Sequence, residues 1–191
     1  GIDGQFTLGD AWTWDWFGAQ SLTQGQGDDG YAYKVGYFYQ GDRWGSFMNH
    51  YGISPNAAPD AGFITRTDLR RSDLFGSYKW RPDALGLREI SMWSGGRYGN
   101  TISDGRLQDW SGGIALNPIW DSGDQISVFV NAGETVLDEG FELTDSVEVP
   151  AGRYRADHIG WFGGTAPGRM MNLGVNGTLT LGSLLVVIAY L

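Results

Sequence analysis

The 191 residues carry a formal net charge of −9, no cysteine and 31 glycines, with nine each of Trp, Tyr and Phe. The acidic balance excludes general nucleic-acid binding, which needs a cationic surface to displace counterions from phosphates. Without thiols there are no disulfides and no thiolate metal sites, and a hydrophobic fraction of 41% is too high for a disordered chain.

Alternation of apolar with polar or small residues predicts strands, because successive side chains leave a pleated backbone on opposite sides. The predicted strands run over 3–9, 11–21, 31–40, 43–51, 68–81, 86–98, 106–118, 124–134, 152–163, 169–181 and 184–191. In the second, Trp12, Trp14 and Trp16 share one side, opposite Thr13 and Asp15. In the third, Tyr31, Tyr33, Val35, Tyr37 and Tyr39 oppose Ala32, Lys34, Gly36 and Phe38. Leu74, Gly76, Tyr78 and Trp80 repeat the pattern against Asp73, Ser77 and Lys79. Ile126, Val128, Val130 and Ala132 do so against Gln125, Ser127 and Asn131. Met171, Leu173, Val175 and Leu179 follow against Asn172, Asn176, Thr178 and Thr180. The closing run, Leu184 to Leu191, is apolar on both sides and fits the ~9–11 residues of a membrane strand better than the ~20 of a membrane helix.

Turn chemistry separates the strands at Gln26-Gly27-Asp28-Asp29-Gly30, Gln40-Gly41-Asp42, Asp104-Gly105 and Asp121-Ser122-Gly123-Asp124. Longer links fall at Ile53 to Ala61 and Glu134 to Ala151. The expectation is an all-β, antiparallel up-and-down meander forming one domain over 1–191: a transmembrane β-barrel or a segment of one. Trp12, Trp14, Trp16, Tyr78 and Trp80 are expected to face lipid, since Trp and Tyr favour the headgroup level. A soluble sandwich with an apolar inner face also alternates. The aromatic content of one side, and the Gly, Asn, Thr and Ser opposite, favour the barrel. The chain opens at Gly1 without a basic or apolar leader, which reads as a mature or excised piece.

Tyr51-Gly52-Ile53-Ser54-Pro55, then Asp60-Ala61-Gly62-Phe63-Ile64-Thr65-Arg66-Thr67-Asp68, resembles a recurring stretch in a bacterial family of unknown function. Val149-Pro150-Ala151-Gly152-Arg153-Tyr154 is similar to a later part of the same family. Its members place a carbohydrate-binding-family-nine-like module before a long outer-membrane β-barrel region. The resemblance implies an outer-membrane location and a barrel fold, and no established activity. Nothing in the chain matches the binding module.

The search for chemistry returns little. Gly25-Gln26-Gly27-Asp28-Asp29-Gly30 has the glycine spacing of a dinucleotide-binding turn, but a strand follows where a helix is needed, and two aspartates repel an anion. His50 and His158 are the only histidines and read as ordinary polar-side or rim residues. Glu139 with Glu142, or Asp121 with Asp124, are weak candidates for a glycosidase acid and base, and solvated loops explain them better. No complete calcium-loop pattern is present in the acidic turns. Arg66, Asp68 and Arg70 are expected on one strand face, with Thr67, Leu69 and Arg71 on the other. That group reads as a lumen charge cluster, either biasing solute passage or acting as a salt-bridge ladder, with the ladder favoured.

The expectation is thus a structural wall without catalytic residues, cofactor or metal, serving as a solute pore or as an anchor for an attached domain. Its partners would be outer-membrane lipid, the remaining strands of a longer chain or a second copy, and a small solute. The rivals are a secreted carbohydrate-binding β-sandwich, with the Trp12 to Trp16 and Tyr31 to Tyr39 rows as a platform, and an envelope hydrolase.

Overall fold

The computed structural model describes residues 1–21, 30–57, 66–144 and 147–182. Among them are twelve strands and no helix. They are β1 (Ile2–Leu8), β2 (Trp12–Ser21), β3 (Gly30–Gln40), β4 (Trp44–Ile53), β5 (Leu69–Trp80), β6 (Leu87–Asn100), β7 (Leu107–Trp120), β8 (Gln125–Leu137), β9 (Phe141–Thr144), β10 (Val147–Val149), β11 (Gly152–Gly164) and β12 (Gly174–Gly182). Ten form one antiparallel sheet in the order β1 to β8, then β11 and β12, while β9 and β10 make a separate hairpin. The meander predicted by the alternation is present. Among the described residues the sheet is not closed: β1 and β12 are its edges and do not pair with each other.

The up-and-down path puts connections 9–11, 41–43, 81–86, 121–124 and 165–173 at one rim. The strand ends that flank 22–29, 54–68, 101–106 and 138–151 lie at the other. Short and long links alternate as expected, with 101–106 and 165–173 departing from the rule. The 121–124 turn shows why its glycine is there. Gly123 sits at φ 84, a left-handed conformation without steric cost for glycine, and its N–H donates to the Trp120 carbonyl at 2.8 Å.

Two predicted elements are corrected. The link from Glu134 to Ala151 is not simply loop, since β8 continues to Leu137 and the β9–β10 hairpin occupies much of the rest. Met171 and Leu173 are not in a strand, because β12 begins only at Gly174. The turn before it is fastened elsewhere: Asp124 accepts the Ala166 N–H at 2.9 Å and the Arg169 guanidinium at 2.7 Å. The closing strand expected at 184–191, the Gly25 to Asp29 turn and the Asp60 to Thr65 part of the resemblance lie outside the described residues.

Cross-strand register sorts the side chains into two faces. Phe6, Trp14, Tyr37, Met48 and Leu74 follow one another across β1 to β5. On the same face Ile114, Val130, Ile159 and Leu179 follow across β7, β8, β11 and β12. This apolar face is open. In β8, Ile126, Val128 and Val130 are 46%, 46% and 45% exposed, whereas Gln125, Ser127, Phe129 and Asn131 between them are half-buried. A soluble sheet does the reverse. Crowding on the polar face is what the hollow side of a curled sheet produces.

The only buried apolar side chains among the described residues are Leu69, Ala115 and Val149. A sandwich needs a second sheet against the apolar face. No described strand supplies one.

Candidate functional site

The apolar face is bounded by aromatic rings at both ends. At the short-turn rim stand Trp12, Tyr39, Trp44, Tyr78 and Trp80, with Trp12 and Tyr39 ring centroids 4.5 Å apart and Trp44 and Tyr78 4.3 Å apart. At the long-loop rim stand Tyr31, Tyr33, Tyr98 and Trp110. Trp14 and Trp16 continue from Trp12 along the same face: Trp14 stacks on Trp12 and lies tilted against Tyr37, and Trp16 stands opposite Val35. Near the long-loop rim the face turns polar. The Tyr33 hydroxyl meets His50 Nε2 at 3.3 Å, and His50 Nδ1 meets Ser72 Oγ at 2.8 Å. Glu134, Arg153, Arg155 and Asp157 fall on the apolar face only in the long-loop halves of β8 and β11, as two ion pairs.

The polar face is built from three cross-strand rows. One runs Asp15, Gly36, Asn49, Asp73, Arg97 and Ser111. Arg97 Nε donates to Asp73 Oδ1 at 2.7 Å, and Gly36 gives room for Asp15 and Asn49 to lean together, since a Cβ there would lie 2.9 Å and 2.6 Å from their side-chain oxygens. The second row runs Lys34, Tyr51, Arg71, Gly99 and Asp109. Arg71 reaches across bare Gly99 to Asp109 at 2.8 Å, and Lys34 pairs diagonally with Asp15 at 2.5 Å. The third row runs Phe38, Phe47, Phe75, Gly95, Gly113, Asn131, His158 and Thr180. His158 Nδ1 meets the Thr180 hydroxyl at 2.9 Å.

The expected grouping of Arg66, Asp68 and Arg70 takes a different form. Arg66 is exposed before the strand, and Asp68 also precedes β5. Asp68 has φ 53, a left-handed conformation in which Asp is among the enriched non-glycine residues. Its Oδ1 accepts the Ile102 and Ser103 N–H groups at 2.9 Å each, and Oδ2 accepts the Ser103 hydroxyl at 2.6 Å. Burial opposes ionisation, but the Ser103 and Ile102 bonds outweigh it and hold the carboxyl below its ordinary range. Asp68 thus clamps one long-rim connection to another. Arg70 lies within β5, in register with Gly52 and Asn100, on the face that carries Tyr78 and Trp80. Its Nε donates to Asn100 Oδ1 at 3.4 Å. A period of two does not extend back through the positive φ of Asp68 to Arg66, whereas Arg70, an even number of residues from Tyr78 and Trp80 within β5, shares their face by that same period.

The same rim holds a second fastening. The Thr101 hydroxyl and the Arg106 side chain both donate to Asp104, lowering its carboxyl to about 2, and Arg106 also reaches Asp138 at 2.9 Å. At the opposite rim the weak acid–base candidates Asp121 and Asp124 divide: Asp124 is held low by the Ala166 N–H, then the Ser122 hydroxyl and Arg169. Glu139 lies before β9 and Glu142 within it. No group of three or more His, Cys, Asp or Glu suited to a metal ion occurs among the described residues.

Sequence reasoning singled out Asp15 and Lys34 as facing away from the tryptophans but missed the Asp73–Arg97 and Arg71–Asp109 pairs. Their partners are 24 and 38 residues apart, and only strand register reveals them. No known family, curated protein or solved structure matches the chain. The resemblance to the barrel-bearing family rests on its quoted residues alone.

Proposed function

We propose that this chain is part of the wall of an outer-membrane β-barrel, its apolar face against lipid and its polar face against water. The observation that carries the reading is the inverted exposure in the sheet: Ile, Val and Leu side chains stand open between two aromatic belts, while the polar side is crowded. Such a surface is unfavourable in water, because roughly 25 cal/mol is lost per Å² of apolar area left exposed. It matches hydrocarbon flanked by headgroup layers, where Trp and Tyr keep one polar end wet. Trp12, Trp14, Trp16, Tyr78 and Trp80 then belong to the lipid side. Short turns would face the periplasm and the longer connections the exterior.

Hydrocarbon offers no partners to backbone N–H and C=O groups, so β1 and β12, the sheet edges among the described residues, must be covered. In this reading the remaining strands of a longer chain, or a second copy, cover them. The family resemblance agrees with such a wall and with an attached extracytoplasmic domain. The chain's work is structural and permissive, holding a polar path or an anchor, with no catalytic centre of its own.

These 191 residues contain no cysteine, so a facing test is direct once any cysteine elsewhere in the longer protein is replaced. In the full-length protein refolded into lipid vesicles, Val130→Cys should resist a water-soluble maleimide and Asn131→Cys should react. Reaction at Val130→Cys with protection at Asn131→Cys would turn the wall inside out and end this reading.

A further inference from the structure

Three features meet in the middle of the polar face. Phe47 and Phe75 are cross-strand partners with ring centroids 5.3 Å apart and planes 15° apart, and Trp93 extends the stack at 6.2 Å from Phe75. Beside the rings Gly95 carries no side chain, Asn131 Oδ1 leans over Gly113, and a concavity of about 410 Å³ opens among them. Its polar side chains are Asn49, Asp73, Arg97, Ser111 and Asn131.

The charges of this region cancel locally. Asp73 is paired with Arg97, Asp15 with Lys34, and Arg71 with Asp109. An ionic solute finds no uncompensated opposite charge, so Coulomb attraction does little to hold it. A neutral ring compound fares better. The carbon–hydrogen faces of a pyranose lie well against aromatic rings. Its hydroxyls, each both donor and acceptor, suit a carboxylate, a guanidinium and two amides at the edge of the same hollow. Gly95, without a side chain, lets a ring lie beside Phe75.

We propose that the hollow beside Gly95 binds a neutral saccharide, with Phe47 and Phe75 as its platform and Asp73, Arg97 and Asn131 as its hydroxyl partners. The inference rests on the reading of this face as the water side. It places sugar contact on the side opposite the Trp12 to Trp16 row.

The test uses the full-length protein in detergent micelles, titrated calorimetrically with maltohexaose, cellohexaose and chitohexaose, and with glutamate and spermidine as charged comparisons. At least one hexasaccharide should saturate below about 10 mM, and neither ion should bind. Phe47→Leu and Phe75→Leu keep apolar bulk but lose the aromatic face, and each should weaken binding about tenfold. Arg97→Gln should do the same. Trp16→Leu, on the other face, should leave affinity within about twofold, and circular dichroism should show unchanged strand content in every variant. No hexasaccharide binding, preferential binding of an ion, or equal loss in Trp16→Leu and Phe47→Leu would overturn the proposal. Vesicle insertion is scored separately. Insertion without sugar binding ends this inference alone, whereas sugar binding by a protein that needs neither detergent nor lipid ends the membrane reading instead.

Discussion

Asp68 does more for the long-loop rim than its place in a charged sequence suggests. Replacing it with Ala leaves the Ile102 and Ser103 N–H groups without their carboxylate, at a cost of about 1–3 kcal/mol for the unmet donors. Faster amide hydrogen exchange at Ile102 and Ser103 in Asp68→Ala is the expected result, and unchanged exchange would show that the clamp is incidental. Asp104 sets a pH limit on the same rim. Its folded value, about 2, lies below the ordinary 3.8, chiefly through the Thr101 hydroxyl and then Arg106. A depressed carboxylate contributes its stability above the unfolded value and loses it as pH falls through the folded one. Protection of the Arg106 N–H, which donates to Asp104 at 3.2 Å, should therefore persist at pH 4 and above, then fade toward about pH 2. In Thr101→Val the fading should begin at higher pH, and an unshifted profile would contradict the assigned cause.

Within the strands, glycine has two different uses, and the same substitution separates them. A Cβ on Gly113 in β7 would lie 1.7 Å from Asn131 Oδ1 and 2.8 Å from the Val130 carbonyl oxygen. Asn131 can swing away, but the backbone carbonyl must shift too, so Gly113→Ala should destabilise by about 1–3 kcal/mol. Gly76 in β5 meets nothing within 4 Å. There Ala removes only backbone freedom, and Gly76→Ala should be neutral or stabilising by up to about 1 kcal/mol. Urea midpoints of the detergent-held protein measure both, and equal damage would refute the crowding assigned to the polar face. Arg97→Gln breaks a half-exposed pair and should cost no more than about 1 kcal/mol. Folding thus survives where ligand contact is tested.

For the molecule as a whole, the decisive contrast is between the faces of one strand. Val175 is 66% exposed on the apolar face, and Asn176 follows it on the polar face. A cation placed in hydrocarbon costs ~2–4 kcal/mol near the midplane, less toward the rim where β12 begins at Gly174, and little on the water side. Val175→Arg should therefore lower the yield of vesicle-inserted protein well below that of Asn176→Arg. Equal yields would argue against any membrane wall. The two sheet edges make a second demand. Protein lacking partner strands should associate along β1 or β12, because unpaired ladders template further pairing.

Much of this architecture was legible in the alternation. Strand positions, the meander and the separation of Trp12, Trp14 and Trp16 from Asp15 follow from a period of two, a local property of the pleated backbone. Turns rich in Gly and Asp marked most of the boundaries for a similarly local reason. The β9–β10 hairpin was hidden because its strands are only four and three residues long, too short for a period to register. Arg66 and Asp68 escape the alternation because the left-handed Asp68 precedes the strand, while Arg70 follows the period of two on to the apolar face. Register was decided only by the tertiary structure. It sets Asp73 beside Arg97, carries Arg71 over Gly99 to Asp109, and lays Phe47 on Phe75 next to Gly95. Those contacts join residues far apart in the chain, and no pattern within a single strand encodes which partner will lie opposite.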